Sequence, residues 1–129
     1  MKTTGLCLLF SGLIIFLLSC EKDNAGPGGT AIVHGNISHD SRSIPFASVY
    51  IKYGTIDFPG TDTSLYDNKI AANLSGFYEF IELQNGKYYI YVEGYDQQIS
   101  EEVNGGIGLR IEQEGQEMEA DILVEERVE

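Results

Sequence analysis

The sequence predicts an all-β fold, namely a single antiparallel Greek-key β-sandwich of about seven short strands. Eight tyrosines and six phenylalanines, together with abundant Val, Ile and Thr, favour strands, and no long stretch after position 30 has helical periodicity. Short runs of alternating apolar and polar residues are instead separated by turn-forming residues at intervals of about 8–12 residues. This spacing is typical of an antiparallel sandwich.

Alternating runs at residues 31–37 and 47–51 predict the first two strands. Polar residues 39–43 predict a turn between them, and Pro45 makes the exit of that turn rigid. The positions expected to face the core are Val33, Gly35 and Ile37 in the first run and Ala47, Val49 and Ile51 in the second.

A long polar loop is predicted over residues 54–68, which contain Pro59-Gly60, several threonines and three aspartates. Loops of this length in a small domain are often functional or mobile. Asp57, Asp62 and Asp67 are weak candidates for oxygen ligands to Ca²⁺, because their spacing of five matches no standard calcium loop. Solvated turn aspartates are the more common explanation, so no metal site is predicted.

Residues 77–81 and 87–93 predict two more strands, and Gln84-Asn85-Gly86 between them predicts a hairpin turn. Tyr78 and Phe80 share one face of the first of these runs. In the second run, inward positions alternate with outward ones, the inward set being Tyr88, Ile90 and Val92 and the outward set Tyr89, Tyr91 and Glu93.

The C-terminal third is rich in glutamate and predicts two further strands. Their alternating apolar positions are Ile107, Leu109 and Ile111 in one strand and Met118, Ala120, Ile122 and Val124 in the last. The glycines of residues 105–108 predict a flexible turn, and the acidic residues 112–129 predict a solvated sheet face with a frayed end.

Several segments between residues 31 and 95 share a pattern of glycines at turns and aromatic residues facing the core. These segments are Val33-x-Gly35-x-Ile37, residues 44–49, residues 73–80, Leu83, residues 86–92 and Gly94-Tyr95. Their order resembles the carboxypeptidase regulatory-like domain, a transthyretin-like β-sandwich. The resemblance implies a fold and an accessory role, since its motifs are structural. The inserted 54–68 loop and the acidic C-terminal end depart from the family pattern.

Outward aromatic side chains are the candidate ligand-binding residues. Tyr89 and Tyr91 are neighbours on one face of a predicted strand, and Tyr50 lies beside them if its strand pairs suitably. Phe58 and Tyr66 are the aromatic residues of the long loop. Aromatic rings stack on sugars and anchor protein interfaces, although ordinary cross-strand packing is the more common explanation.

The sequence contains no recognisable catalytic constellation. Its two histidines, His34 and His39, have no metal-binding spacing, and neither a nucleophile elbow nor a phosphate-binding glycine loop occurs. We therefore expect no enzymatic activity and no cofactor. A net charge of −12 disfavours nucleic-acid binding, because phosphates would be repelled.

The N-terminal residues 1–19 have the layout of a signal peptide, with Lys2 followed by an apolar run over residues 6–18. Leu17-Leu18-Ser19-Cys20 resembles the lipobox of bacterial lipoproteins, which implies cleavage before Cys20 and a lipid on that cysteine. We expect residues 20–29 to be the lipidated cysteine with a flexible glycine-rich linker, and residues 30–129 to be the sandwich domain. Cleavage would remove Cys7 with the signal peptide, and the lipid would occupy Cys20, so no cysteine pair would remain to form a disulfide.

These features together predict a non-catalytic lipoprotein that is an interaction or structural module at the cell envelope, with a protein or glycan partner. We expect it at the outer membrane, anchored by its lipid and displayed on the cell surface, since Glu21-Lys22-Asp23 resembles a surface-export tag. The periplasmic face is the alternative location. Alternative functions are a carbohydrate-binding accessory lipoprotein of a glycan-uptake system and a subunit of a surface fibre or adhesin.

Overall fold

The computed structural model describes residues 23–128, which form ten β-strands and one short 3-10 helix, Thr63–Leu65. The predicted signal peptide, residues 1–19, and Cys20 lie outside the described residues. The strands are β1 (Pro27–His39), β2 (Arg42–Ser43), β3 (Ser48–Tyr53), β4 (Asn68–Ala71), β5 (Phe77–Leu83), β6 (Gly86–Asp96), β7 (Glu101–Ile111), β8 (Glu117–Glu119), β9 (Ile122–Leu123) and β10 (Glu125–Glu126).

Two sheets pack face to face, which confirms the predicted all-β sandwich, with ten strands in residues 23–128 where about seven were predicted. Most pairs among these strands are antiparallel, as predicted, and two are parallel. In the first sheet, β1 pairs antiparallel with β5 and β2, and parallel with β8 and β9. The second sheet is antiparallel throughout, in the order β10-β7-β6-β3-β4. The chain crosses between the sheets repeatedly, so neighbours along the sequence often belong to different layers.

The core lies between the two sheets and follows the predicted alternation of side chains. Every apolar position predicted to face inward on β1, β3 and β6 is fully buried, because each strand turns alternate residues toward the opposite sheet. Full burial of one such large apolar side chain stabilises the fold by about 1.5–3 kcal/mol. The largest buried side chains are Tyr78, Tyr88, Tyr91, Ile37, Ile44, Ile51, Ile90, Ile111 and Ile122.

The hairpin predicted at Asn85-Gly86 is wrong. β5 pairs with β1 in the first sheet, whereas β6 pairs with β3 and β7 in the second. The connection therefore carries the chain from one layer to the other. It is held by other elements: the Gln84 N–H donates to the Gly26 carbonyl at 2.9 Å, and Asn85 Nδ2 donates to the Glu112 carbonyl at 3.2 Å.

The flexible linker predicted within residues 20–29 is also wrong for residues 25–29, since this stretch belongs to the domain. β1 begins at Pro27, and Ala25 packs against the core. Gly26 is buried, and its N–H donates to the Tyr88 hydroxyl at 2.9 Å. The glycines let the start of β1 approach β5 closely, because a β-carbon at Gly29 would overlap the Leu83 carbonyl.

The single last strand predicted over residues 118–124 is divided into three short strands. Its inward face is as expected, with Ala120, Ile122 and Val124 buried. The pairing partner of this C-terminal segment changes along its length. Strands β8 and β9 lie beside β1 in the first sheet, whereas β10 lies beside β7 at the edge of the second sheet. The chain thus closes the side of the sandwich by joining both layers.

Candidate binding surface

The long loop after β3 folds back onto the outer face of the second sheet. Its ends are tied down, as the Gly54 N–H donates to the Lys87 carbonyl at 2.8 Å and the Asp67 N–H donates to the Ile51 carbonyl at 2.9 Å. Within the loop, the Tyr66 hydroxyl donates to the Gly60 carbonyl at 2.8 Å. The loop is therefore an ordered surface element with its own hydrogen bonds.

The structure brings together all five aromatic residues that the sequence marked as candidate ligand-binding residues. Their closest pairs have ring centroids 5.5–5.8 Å apart, which is the normal range for packed aromatic rings. We refer to them as the aromatic cluster, which consists of Tyr50, Phe58, Tyr66, Tyr89 and Tyr91. Strands β3 and β6 supply three of the rings and the loop supplies the other two.

Tyr91 lies at the centre of the aromatic cluster and is only 1% exposed, although it points away from the core between the sheets. The loop covers it, with Tyr66 stacked at 5.5 Å and Phe58 at 5.7 Å. Its hydroxyl donates to Glu93 Oε2 at 2.8 Å and accepts from Asn104 Nδ2 at 3.0 Å. Burial raises the pKa of the Tyr91 phenol, so it stays neutral at ordinary pH.

The flexible turn predicted at residues 105–108 is wrong, because these glycines lie inside β7. Gly106 pairs with Tyr91 across the sheet, and a β-carbon there would lie 2.6 Å from the Tyr89 hydroxyl. A β-carbon at Gly108 would overlap the Ile56 carbonyl of the loop. The missing side chains thus make room for the aromatic rings and for the loop backbone.

The outer side of the loop presents apolar groups to solvent. Phe58 is 52% exposed even though its ring packs on Tyr89 and Tyr91. Ile56 and Leu65 are exposed as well. The aromatic cluster is therefore mainly the base that supports the loop, and Phe58 is its most exposed member.

The three loop aspartates do not come together as metal ligands in the described part of the chain. Asp62 caps the 3-10 helix, accepting from the Ser64 N–H at 3.0 Å and from its hydroxyl at 2.7 Å. These hydrogen bonds lower the pKa of the Asp62 carboxyl. Asp67 accepts from the Tyr53 N–H at 2.8 Å. Both aspartates therefore shape the loop, as turn aspartates commonly do.

A polar cluster that the sequence did not indicate lies at the end of the sandwich where β1 and β6 finish. His39, expected in an exposed turn, is 2% exposed at the end of β1. Its Nδ1 is 2.8 Å from Asp96 Oδ2, and its Nε2 is 2.8 Å from Glu126 Oε2. Arg42 also donates to Asp96. His39 and Asp96 are 57 positions apart, so no local pattern could have linked them.

Carboxylates face both nitrogens of His39, which favours the protonated ring because a neutral imidazole donates from one nitrogen only. The hydrogen bond that the His39 Nδ1–H donates to Asp96 raises the pKa of His39, and the same bond lowers the pKa of the Asp96 carboxyl to about 2. Ligand atoms of His39, Asp40 and Glu126 lie within 4.8 Å of one another and could hold a metal ion. The same carboxylates of Asp40 and Glu126 can instead form ion pairs with the protonated His39 ring.

The other predicted histidine, His34, lies near the middle of β1, apart from His39. It is partly buried, packs on Phe77 at 5.8 Å, and its Nε2 is 3.2 Å from Glu117 Oε2. Among residues 23–128, no helix has the length and apolarity that crossing a membrane requires.

Comparisons with known proteins give little further information. No family model matches the chain, and no curated protein matches it. Among solved structures, one match is the crystal structure of a candidate carbohydrate binding protein from Pseudomonas aeruginosa, with 14% sequence identity and a TM-score of 0.47. The match covers 78% of this chain and 92% of that chain.

Proposed function

We propose that the protein is a lipid-anchored, non-catalytic binding module of the cell envelope, whose long loop is the contact surface for an envelope partner. The observation that carries this proposal is the loop of residues 54–67, which is packed on the aromatic cluster and leaves Ile56, Phe58 and Leu65 exposed. Binding residues are often found on loops that a rigid scaffold positions.

The packing beneath the loop favours binding for an energetic reason. A loop that is already ordered loses little conformational entropy when it meets a partner, so more of the contact energy appears as affinity. Exposed aromatic side chains on such a surface commonly contribute most of the binding energy. Phe58 combines both properties, because its ring is half-exposed while Tyr89 and Tyr91 hold it in place.

The lipid anchor is proposed from the sequence of residues 17–20. Lipidation of Cys20 would attach the domain to the outer membrane, on the cell surface or on the periplasmic face. Anionic lipid surfaces repel a strongly acidic domain, so the anchor would supply the membrane attachment. In this arrangement the protein stays at the envelope while its loop remains available to a partner.

Replacing the lipidated residue tests the anchor. We expect Cys20→Ser to move the protein from the membrane fraction to the soluble fraction or to leave it as an unprocessed precursor, because the thiol is the attachment point. Cys7→Ser, within the segment expected to be removed, should leave membrane partition unchanged. Mass spectrometry and detergent partition give the result, and protease treatment of intact cells distinguishes surface from periplasmic display. A Cys20→Ser protein that still partitions as a lipoprotein would contradict the anchor.

A carbohydrate is the second candidate ligand, and the exposed Phe58 ring is the observation that favours it, since sugar rings stack on aromatic faces. We expect Phe58→Ala to weaken retention on a binding polysaccharide, or capture of an envelope protein, by about tenfold or more. Phe46→Ala is the matched control, because Phe46 is also exposed, at 64%, but precedes β3, whereas the loop follows the other end of that strand.

Affinity electrophoresis on a polysaccharide panel and pull-down from detergent-solubilised envelopes measure the two outcomes. Retention of the unaltered protein by none of the polysaccharides would exclude the carbohydrate ligand. Equal binding by the Phe58→Ala and Phe46→Ala proteins would contradict the loop as the contact surface. Circular dichroism of both variants shows whether the fold is intact.

A further inference from the structure

Residues close to the cysteine that we propose to be lipidated already belong to the domain. Asp23 is already fixed, since its Oδ1 accepts from the Ala25 N–H at 3.0 Å and both its oxygens lie 3.3 Å from the Lys87 backbone nitrogen. Gly26 follows as a buried residue bonded to Tyr88. Asp23 is therefore attached to the first residues of β6, at one end of the sandwich.

The remaining chain is short compared with the domain. Cys20 and Asp23 are three positions apart in the sequence, and a fully extended chain spans at most about 11 Å over three positions. Strand β6 has 11 residues and is about 35 Å long. A lipid on Cys20 would thus hold the Asp23 end of the sandwich near the bilayer and leave the opposite end beyond its reach.

Charge differs between the two ends. At the Asp23 end, Lys87 and Arg110 are cross-strand neighbours and line an open cavity of about 470 Å³ together with Asp23 and Glu112. Glu82 and Glu114 are further exposed acidic residues at this end. The opposite end has a larger excess of acidic side chains over Arg42 and Arg127. These acidic residues are Asp40, Asp96, Glu101, Glu102, Glu125 and Glu126. Phosphate-bearing headgroups repel the second end more strongly.

We propose that the Asp23 end of the sandwich, with Lys87 and Arg110, lies against the phospholipid headgroups, and that the end carrying His39 and Asp96 points away from the membrane. This orientation rests on the proposed lipidation of Cys20. The anchor limits the distance, and Lys87 and Arg110 contribute attraction to an anionic surface, which their acidic neighbours reduce.

The orientation has a consequence for partners. The outward end contains a cavity of about 400 Å³ whose walls include Arg42, Pro45, Tyr95 and Gln98. Tyr95 is exposed there, and Asp96 is held by His39 and Arg42. A soluble component outside the membrane would reach this end first, whereas the bilayer would cover the cavity beside Asp23. The loop starts near the covered end, where the Gly54 N–H donates to the Lys87 carbonyl, so its proposed partner would be an envelope component close to the membrane surface.

Energy transfer from two labelled positions to lipid tests the orientation. Gln113 and Gln97 are matched exposed glutamines in turns at the Asp23 end and at the opposite end, respectively. With Cys20 lipidated, Gln113→Cys or Gln97→Cys would each supply the single free thiol of the mature chain. The lipidated protein is purified, labelled with a donor dye and placed in phosphatidylethanolamine–phosphatidylglycerol vesicles that contain a headgroup acceptor. We expect transfer from position 113 to be several-fold more efficient than from position 97.

The controls separate this inference from the proposed lipidation. Failure of the purified protein to bind vesicles, or the absence of lipid by mass spectrometry, would contradict the lipidation. Equal transfer from the two positions in vesicle-bound protein, or stronger transfer from position 97, would overturn the orientation. A long Gly-Ser insertion between Lys22 and Asp23 should reduce the difference between the positions, because it removes the short tether. A difference that is unchanged by the insertion would show that the tether length does not set the orientation.

Discussion

Replacing Tyr91 by alanine should destabilise the protein by about 3–5 kcal/mol, as expected for removal of a buried aromatic ring. Tyr91 is 1% exposed and touches the rings of Tyr50, Phe58 and Tyr66. Without it, a cavity opens between the loop and the second sheet, and the loop loses its main support. Equilibrium unfolding in urea measures the change in the free energy of unfolding.

Tyr91→Phe is the control, since it keeps the ring and removes the hydroxyl hydrogen bonds to Glu93 and Asn104. We expect this change to cost about 1 kcal/mol. Hydrogen exchange should show faster exchange of loop amides in the Tyr91→Ala protein than in the Tyr91→Phe protein. Equal stability of the two variants would mean that the ring is not packed beneath the loop.

Gly35→Val should be the most damaging change within β1, at about 3 kcal/mol or more, because it forces the backbone to move. Gly35 is buried opposite Tyr78 in the β1–β5 pair. A β-carbon there would overlap the carbonyl group of Ala120, which also accepts from the Tyr78 hydroxyl. The segment between β8 and β9 would have to move away from β1 to accommodate valine.

Asn36→Val is the matched comparison, as it places the same side chain at the next position of β1, which is exposed. Its effect should stay within about 0.5 kcal/mol, as for most surface substitutions. Thermal and urea unfolding of both variants give the comparison. Similar midpoints for the two proteins would show that the C-terminal segment does not pass over Gly35.

The aromatic rings beneath the loop and the exposed side chains on its outer side have different roles. Tyr91 and the rings around it stabilise the loop, whereas Phe58, Ile56 and Leu65 face solvent. A variant lacking Tyr91 would therefore lose binding through loss of the fold of the loop. Phe58→Ala removes the exposed ring and leaves the base intact, which makes it the more direct test of binding.

The sequence predicted the faces of the strands well because strand periodicity is local. The alternation in Lys87 to Glu93 assigns Tyr88, Ile90 and Val92 to the core, and all three are fully buried. The same alternation assigned Tyr89 and Tyr91 to the outer face, where they meet the loop. The loop was located by its turn-forming composition, although its contact with these tyrosines could not be inferred.

Local turn chemistry failed wherever pairing with a distant segment decided the structure. Asn85-Gly86 is typical of hairpins, yet β5 has its partner in β1 and β6 has its partners in β3 and β7. The glycines of residues 105–108 are typical of a turn, yet the Tyr89 ring and the Ile56 backbone occupy the space beside Gly106 and Gly108. In each case the competing interaction comes from elsewhere in the chain.

By itself, the sequence determined the all-β class, the inward face of each main strand and the set of aromatic candidates, since each depends on residue type and a period of two. Only the tertiary structure decided that the loop covers Tyr91, that His39 is buried against Asp96, and that Asp23 is bound to the start of β6. The physical reason is that these three features depend on contacts between residues far apart in sequence, such as the pair of Asp23 and Lys87, 64 positions apart.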